Sequence, residues 1–185
     1  MTKELVLPIK DDNILKQVED ALLHDFRAGR RNYTIFQVGK ATLLKVSAVL
    51  NLKISDVYDD NGNIKFGKLY LRPVEDDLKK YYQWLANKKL LAGQWLFPSM
   101  TSITLPLTEK QYYKIMSQVG KKLNIDYLGT HTMRKTGAYR IYEQTNHDLA
   151  LVTKLLNNSN DAVTLRYLHL QHESLTTRLN RIDFG

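Results

Sequence analysis

His131-Thr-Met-Arg134 sets an imidazole and a guanidinium three positions apart, and therefore on one face of a helix. The planar fork of arginine fits a phosphate or carboxylate better than other cationic side chains do, so an anion is the natural object of such a pair. Many helices carry a His and an Arg, and the pair alone names no reaction. Other chemistries find little support. The chain has no cysteine, which excludes thiolate catalysis, disulfides and Cys-ligated metals. His131 has no second histidine at metal spacing, and His169 and His172 have no clear third ligand nearby, so no metal site is assigned. The nine glycines are scattered and form no phosphate-cradling loop, and there is no Gly-x-Ser-x-Gly elbow.

The charge balance narrows the partners. Lys and Arg number 27 against 19 Asp and Glu, for a net charge of +8. Such a surface attracts polyanions, of which nucleic acid is the commonest. The excess is not a tail: residues 1–108 hold 16 basic and 12 acidic groups, and residues 109–185 hold 11 and 7. A binding face must therefore be assembled by the fold. With 185 residues, one domain is the default reading. At 43% hydrophobic and 25% charged residues, the composition is that of a soluble globular protein rather than a disordered or collagen-like one. Apolar runs such as Ala48-Val49-Leu50 are far short of the ~20 residues of a membrane span. The opening Met1-Thr-Lys-Glu4 is charged too soon for a signal peptide, so a cytoplasmic setting and no membrane partner are expected.

The elements that must position these groups are mostly helical. Asp11 or Asp12 caps a helix carrying Leu15, Val18, Leu22 and Phe26 at helical spacing. A basic knot of Arg27, Arg30 and Arg31 follows around Gly29. Tyr33 to about Leu52 reads as mostly helix, broken near Gly39 to Thr42. Asn61-Gly62 signals a hairpin, with Lys68 to Arg72 as a strand ended by Pro73. Glu75 to Ala86 is a helix, Trp95 to Pro98 a short apolar segment, and Ser99 to Pro106 a loop. Thr108 with Gln111 forms a capping box for a helix to about Leu123. Further helices are expected from His131 to Gln144, from Asp148 to Leu156, and from a cap at Asp161 toward Tyr167. Glu173 to Ile182 closes the chain with an apolar stripe of Leu175, Leu179 and Ile182. There is no internal repeat and no dividing linker. The fold class is mainly α with a small antiparallel β-hairpin or sheet.

Two further blocks give the pair a context. Thr164-Leu-Arg-Tyr-Leu-His169 places Tyr167 33 positions after Arg134. Upstream lies Arg31-Asn-Tyr-Thr-Ile-Phe-Gln-Val-Gly-Lys-Ala-Thr-Leu-Leu-Lys-Val-Ser-Ala-Val-Leu-Asn-Leu-Lys-Ile-Ser-Asp-Val57. In this order and at these distances, from about Pro8 to Phe184, the chain resembles the catalytic domain of the tyrosine recombinases, the phage-integrase family. Members break and rejoin duplex DNA through a tyrosine ester, with neither metal nor nucleotide cofactor. The resemblance implies Tyr167 as nucleophile, Arg134 as holder of the scissile phosphate, and His131 as a donor to the phosphate or a proton shuttle. It implies a hairpin lysine as general acid: Lys68, which follows Gly67, with Lys65 as its rival. The chemistry explains these types. A phenol with a pKa near ~10 attacks only when its proton is removed and the developing charge is neutralised. The departing 5′-oxygen needs a positioned acid.

The chain departs from the family in several places. Lys45 stands where members carry their first arginine, which keeps the charge but loses the fork. Ala48 replaces the usual acidic partner three residues on. Asn158 stands where members show His or Trp, and its amide can donate a hydrogen bond but carry no charge. The pattern also begins within the first dozen residues. Residues 1–185 are therefore expected to be a single catalytic domain, without the helical N-terminal core-binding domain that clamps the opposite face of the duplex. Candidate phosphate contacts are Arg27, Arg30, Arg31, Lys65, Lys88, Lys89, Lys121 and Lys122. The C-terminal segment from Glu173 to Phe184 either docks on a neighbouring protomer, giving a homo-oligomer on DNA, or packs on its own domain. Two other functions fit the same residues: a non-catalytic DNA-binding module derived from an integrase, and a type IB topoisomerase-like relaxase. The resemblance also implies a bacterial, phage or mobile-element origin.

Overall fold

The computed structural model describes residues 5–170. Nine α-helices lie among them. Helix α1 spans Asp12–His24, α2 Gly29–Thr42, α3 Val46–Leu50, α4 Ile54–Val57 and α5 Glu75–Asn87. Then come α6 Glu109–Leu123, α7 Thr132–Gln144, α8 Leu149–Leu156 and α9 Asp161–Tyr167. No helix among the described residues is long and apolar enough to cross a membrane.

Local chemistry starts and stops these helices. Asp11 caps α1 by accepting from the Ile14 amide at 2.9 Å. Thr108 and Gln111 form the expected capping box at α6. The cap of α9 is Asn160, which accepts from the Val163 amide at 3.0 Å, rather than Asp161. The Asp161 carboxylate instead accepts from the Thr153 hydroxyl at 2.6 Å, tying α9 back to α8.

Two apolar clusters organise the packing. The larger gathers Val18 and Leu22 of α1, Ile35 and Phe36 of α2, Leu78 and Tyr81 of α5, Met116 of α6 and Met133 of α7. The smaller joins Leu43, Ala138, Val152, Leu156 and Leu168, with Tyr167 packed against it. Helix α7 contributes to both clusters, so it carries its own side chains between the main core and the α8–α9 unit. Close approach of α2 and α7 needs glycine. A Cβ built on Gly137 would sit 2.1 Å from the Lys40 carbonyl oxygen, and one on Gly39 would sit 2.2 Å from the Met133 sulfur.

The break in the helical stretch after Tyr33 falls later than the sequence suggests. Helix α2 runs on through Gly39, whose missing side chain serves packing, and ends at Leu43 in the left-handed region (φ 53°). A bulky residue there costs about 1–2 kcal/mol. It is held because its side chain is buried in the smaller cluster and its carbonyl accepts a hydrogen bond from Arg134.

The expected β-hairpin is reduced to its turn. Gly62 adopts φ +80°, and the Asp59 carboxylate accepts from the amides of Asn61 and Asn63 at 2.9 and 2.8 Å. A single antiparallel bridge joins Tyr58 and Ile64, and no strand forms among the described residues. Phe66, Gly67 and Lys68 are all exposed, so no buried face pins a pairing register. Leu71 is drawn into the core, and the chain passes directly into a 3-10 turn at Arg72–Val74 rather than a strand through Arg72.

Candidate active site

Arg134 sits in the first turn of α7 and is the hub of the site. Its Nε donates to the carbonyl of Leu43 at 2.5 Å and its Nη2 to the carbonyl of Leu156 at 3.1 Å. Both acceptors lie at helix ends, where carbonyls lack intrahelical partners. The guanidinium therefore closes the C-termini of α2 and α8 and is itself held in one orientation. Its Nη1 lies 3.4 Å from the Tyr167 hydroxyl, and its carbon lies 5.5 Å from the centroid of that ring.

Tyr167 is the last residue of α9, half-buried against the smaller cluster. Burial raises the pKa of its phenol above the usual value, and the Arg134 charge offsets part of that rise. The resting group is a neutral phenol.

His131 is the N-cap of α7, exposed and without a side-chain capping bond. Its pKa is lowered, first by partial burial and then by the positive charges of Lys135, Arg134 and Lys45. A neutral imidazole, able to donate at one nitrogen and accept at the other, is favoured near pH ~7. Lys45 therefore lies within electrostatic reach of His131. It is the exposed N-cap of α3, two residues after the Leu43 carbonyl that anchors Arg134.

The other anticipated residues are less close to this centre. Asn158 lies in the α8–α9 turn, and its Nδ2 donates to the Thr164 hydroxyl at 3.0 Å. That bond supports the turn leading to Tyr167. Lys65 donates from its Nζ to the Ser55 carbonyl at 2.8 Å, and Lys68 is exposed on the loop beyond it. Neither lysine contacts Arg134, His131 or Tyr167.

The basic residues outside the centre fall into three groups. Arg27, Lys88, Lys89 and Lys121 are exposed. Arg30 lies over the Tyr33 ring at 5.8 Å, and Lys122 pairs with Asp25 at 2.6 Å. Arg31 differs: it is 5% exposed, and its Nη1 donates to the Pro98 carbonyl at 2.8 Å. Its role is to tie α2 to the loop after Pro98, and burial removes it from the set that could meet a phosphate.

One neighbour went unmarked in the sequence. Lys135 follows Arg134 directly and is 9% exposed. Its Nζ donates to the Val6 carbonyl at 2.6 Å, lies 3.1 Å from His169 Nε2, and stands 5.0 Å from the Tyr167 ring centroid. The available signal was its setting, a lysine between Met133 and Thr136-Gly137-Ala138 on a helix flanked by small and apolar side chains.

The sequence pattern described as the Phage integrase family matches residues 12–174. The chain belongs to that family. A probable integrase/recombinase, YoeC of Bacillus subtilis, is 27% identical over 189 residues, covering 98% of both chains. Tyrosine recombinase XerC of Staphylococcus epidermidis is 28% identical over 82% of this chain, which spans 53% of that relative. The XerH site-specific recombinase in a post-cleavage complex with its DNA substrate superposes with a TM-score of 0.69 at 21% identity, covering 98% of this chain and 54% of XerH. XerA recombinase gives a TM-score of 0.66 at 21% identity. The chain thus has the fold of these recombinases and spans about half the length of XerC and XerH.

Proposed function

We propose that this chain carries the catalytic centre of a site-specific DNA recombinase, cleaving and rejoining strands through a 3′-phosphotyrosine at Tyr167. The observation that carries the reading is the contact between Tyr167 Oη and Arg134 Nη1, which joins residues 33 apart in sequence. Arg134 spends its Nε and Nη2 on backbone carbonyls, so the guanidinium is already oriented when a phosphate arrives beside the phenol.

In the forward step the Tyr167 oxygen attacks phosphorus and the bond to the 5′-oxygen breaks. The phenol proton leaves to a base, and the departing 5′-oxygen takes a proton from an acid. Attack by a second 5′-hydroxyl reverses the sequence on a new strand, with the ester energy retained. Arg134 balances charge on the non-bridging oxygens. His131, favoured neutral, donates to the phosphate or accepts the phenol proton. Lys68, or Lys65 in its place, serves as general acid once the turn at Gly62 closes on DNA. Lys45 adds positive charge, and Asn158 adds a hydrogen bond. Exposed Arg27, Lys88, Lys89 and Lys121 contact phosphates of duplex DNA, and Arg30 and Lys122 do so at the margins. No metal or nucleotide is required. Oligomerisation on DNA would run through Glu173 to Phe184, which lies outside the described residues.

A second reading is a DNA-binding module without turnover. It is favoured by two features: Lys45 in place of a fork-bearing arginine, and the Asn158 donor already engaged by Thr164. Covalent trapping separates the two. The protein is incubated with a library of nicked duplexes carrying a randomised centre, then denatured. A recombinase leaves a DNA adduct that Tyr167→Phe abolishes. A binding module shifts the same DNA in a gel and leaves none. Relaxation of an arbitrary supercoiled plasmid would instead favour the topoisomerase-like reading.

A further inference from the structure

We propose that Lys135 is a positioning residue for Tyr167, its buried ammonium holding the nucleophile's ring and His169, two residues further on, in place. The inference rests on the reading of Tyr167 as nucleophile. Tyr167 ends a seven-residue helix, so local hydrogen bonding alone cannot fix its orientation. What holds it comes from elsewhere. Leu168 is buried. His169 takes the left-handed conformation (φ 51°), which turns its imidazole back to Lys135 Nζ at 3.1 Å. The His169 carbonyl accepts from Lys10 Nζ at 3.3 Å. Lys135 also faces the Tyr167 ring at 5.0 Å and donates to the Val6 carbonyl at 2.6 Å.

A lysine meant only to fill this space would be a poor choice. Burying an ammonium is costly, and an apolar side chain of similar length would fill the space without that cost. Burial indeed lowers the Lys135 pKa. The charge is instead spent on the ring face and on residue 169, while the Tyr167 hydroxyl is left to Arg134. The same contacts link the nucleophile to the segment before α1. Val6 meets Lys135, the Ile9 amide donates to the Thr136 hydroxyl at 3.0 Å, and Lys10 meets His169.

The test compares Lys135→Met, which keeps the stem and removes the charge, with Lys135→Gln and Lys135→Arg. Lys135→Gln keeps a donor for Val6 without a cation, and Lys135→Arg restores the cation. Each is made in a chain with fluorotyrosine placed at position 167. Three quantities are read: the fluorine resonance, gel-shift affinity, and the single-turnover rate of adduct formation on nicked duplexes recovered from the randomised library. Misplacing a reacting group by an ångström can cost ~10²-fold, so Lys135→Met and Lys135→Gln should slow adduct formation by about 10–100-fold. Affinity should change little, and the fluorine signal should shift or broaden. Lys135→Arg should recover much of the rate. An unchanged fluorine signal and an unchanged rate per folded molecule in Lys135→Gln would overturn the inference alone. If the unsubstituted chain forms no adduct, the nucleophile reading falls and takes this inference with it.

Discussion

Replacing Arg134 with lysine separates charge from geometry at the hub of the site. The ammonium keeps the positive charge, but one nitrogen cannot reach the Leu43 and Leu156 carbonyls and the Tyr167 hydroxyl together. At least one carbonyl at a helix end loses a charge-assisted hydrogen bond, worth about 1.5–3 kcal/mol where partly buried. The left-handed Leu43 also loses the partner that offsets its strain. A net destabilisation of about 2 kcal/mol follows, or roughly 4–8 °C in Tm for a chain of this size. Cleavage should fall further, since removing one preorganised donor costs ~10²–10³ in rate and here the orientation of the whole group is lost. Thermal denaturation followed by circular dichroism gives the first quantity, and single-turnover adduct formation gives the second. Arg134→Lys with a wild-type Tm would show that the two carbonyl bonds do not brace α2 against α8. An unchanged adduct rate would show that the fork does not serve the phosphate.

With Lys45 beside the phosphate, as proposed, Lys45→Arg should speed adduct formation about tenfold, because a fork replaces a point charge. A flat result alongside complete loss in Tyr167→Phe would place Lys45 away from the phosphate. Gly137→Ala forces a Cβ to within 2.1 Å of the Lys40 carbonyl oxygen, so α2 and α7 must separate. A loss of about 1–3 kcal/mol by denaturant titration is expected, as for other overpacked cores. His131 and His169 both have pKa values lowered in the folded chain, the first cause in each case being burial. The unfolded chain binds protons more readily, so the stability they contribute is full above pH ~6.5 and is lost as pH falls below it. Denaturation between pH 7 and 5 should show that decline, and replacing both with Gln should flatten it.

Much of the helical framework is legible in the sequence because its causes are local. Asp11 and the Thr108–Gln111 box act within one turn of the residues they cap, and apolar spacing alone marks the buried face of α1 at Val18 and Leu22. The Asn61-Gly62 turn forms for the same reason, since Asp59 and Gly62 need nothing distant. The strands expected beside it do not form, because a ladder needs a register pinned by a buried face and Phe66 to Lys68 have none.

The chain by itself also determined which residue types are available for chemistry: no thiol, no phosphate-cradling loop, and a tyrosine set 33 positions after an arginine. Tertiary structure alone decided what those residues touch. Arg31 and Arg134 are both arginines near the start of a helix. The first is consumed by the Pro98 carbonyl, while the second spans two helix ends and reaches Tyr167. Lys135 is buried beneath the tyrosine ring only through packing of the Val6 segment and the turn at His169. The physical reason is range. Caps and periodicity act over a few residues, whereas the burial and partner of a long cationic side chain depend on segments more than a hundred positions away, as with Lys135 and Val6.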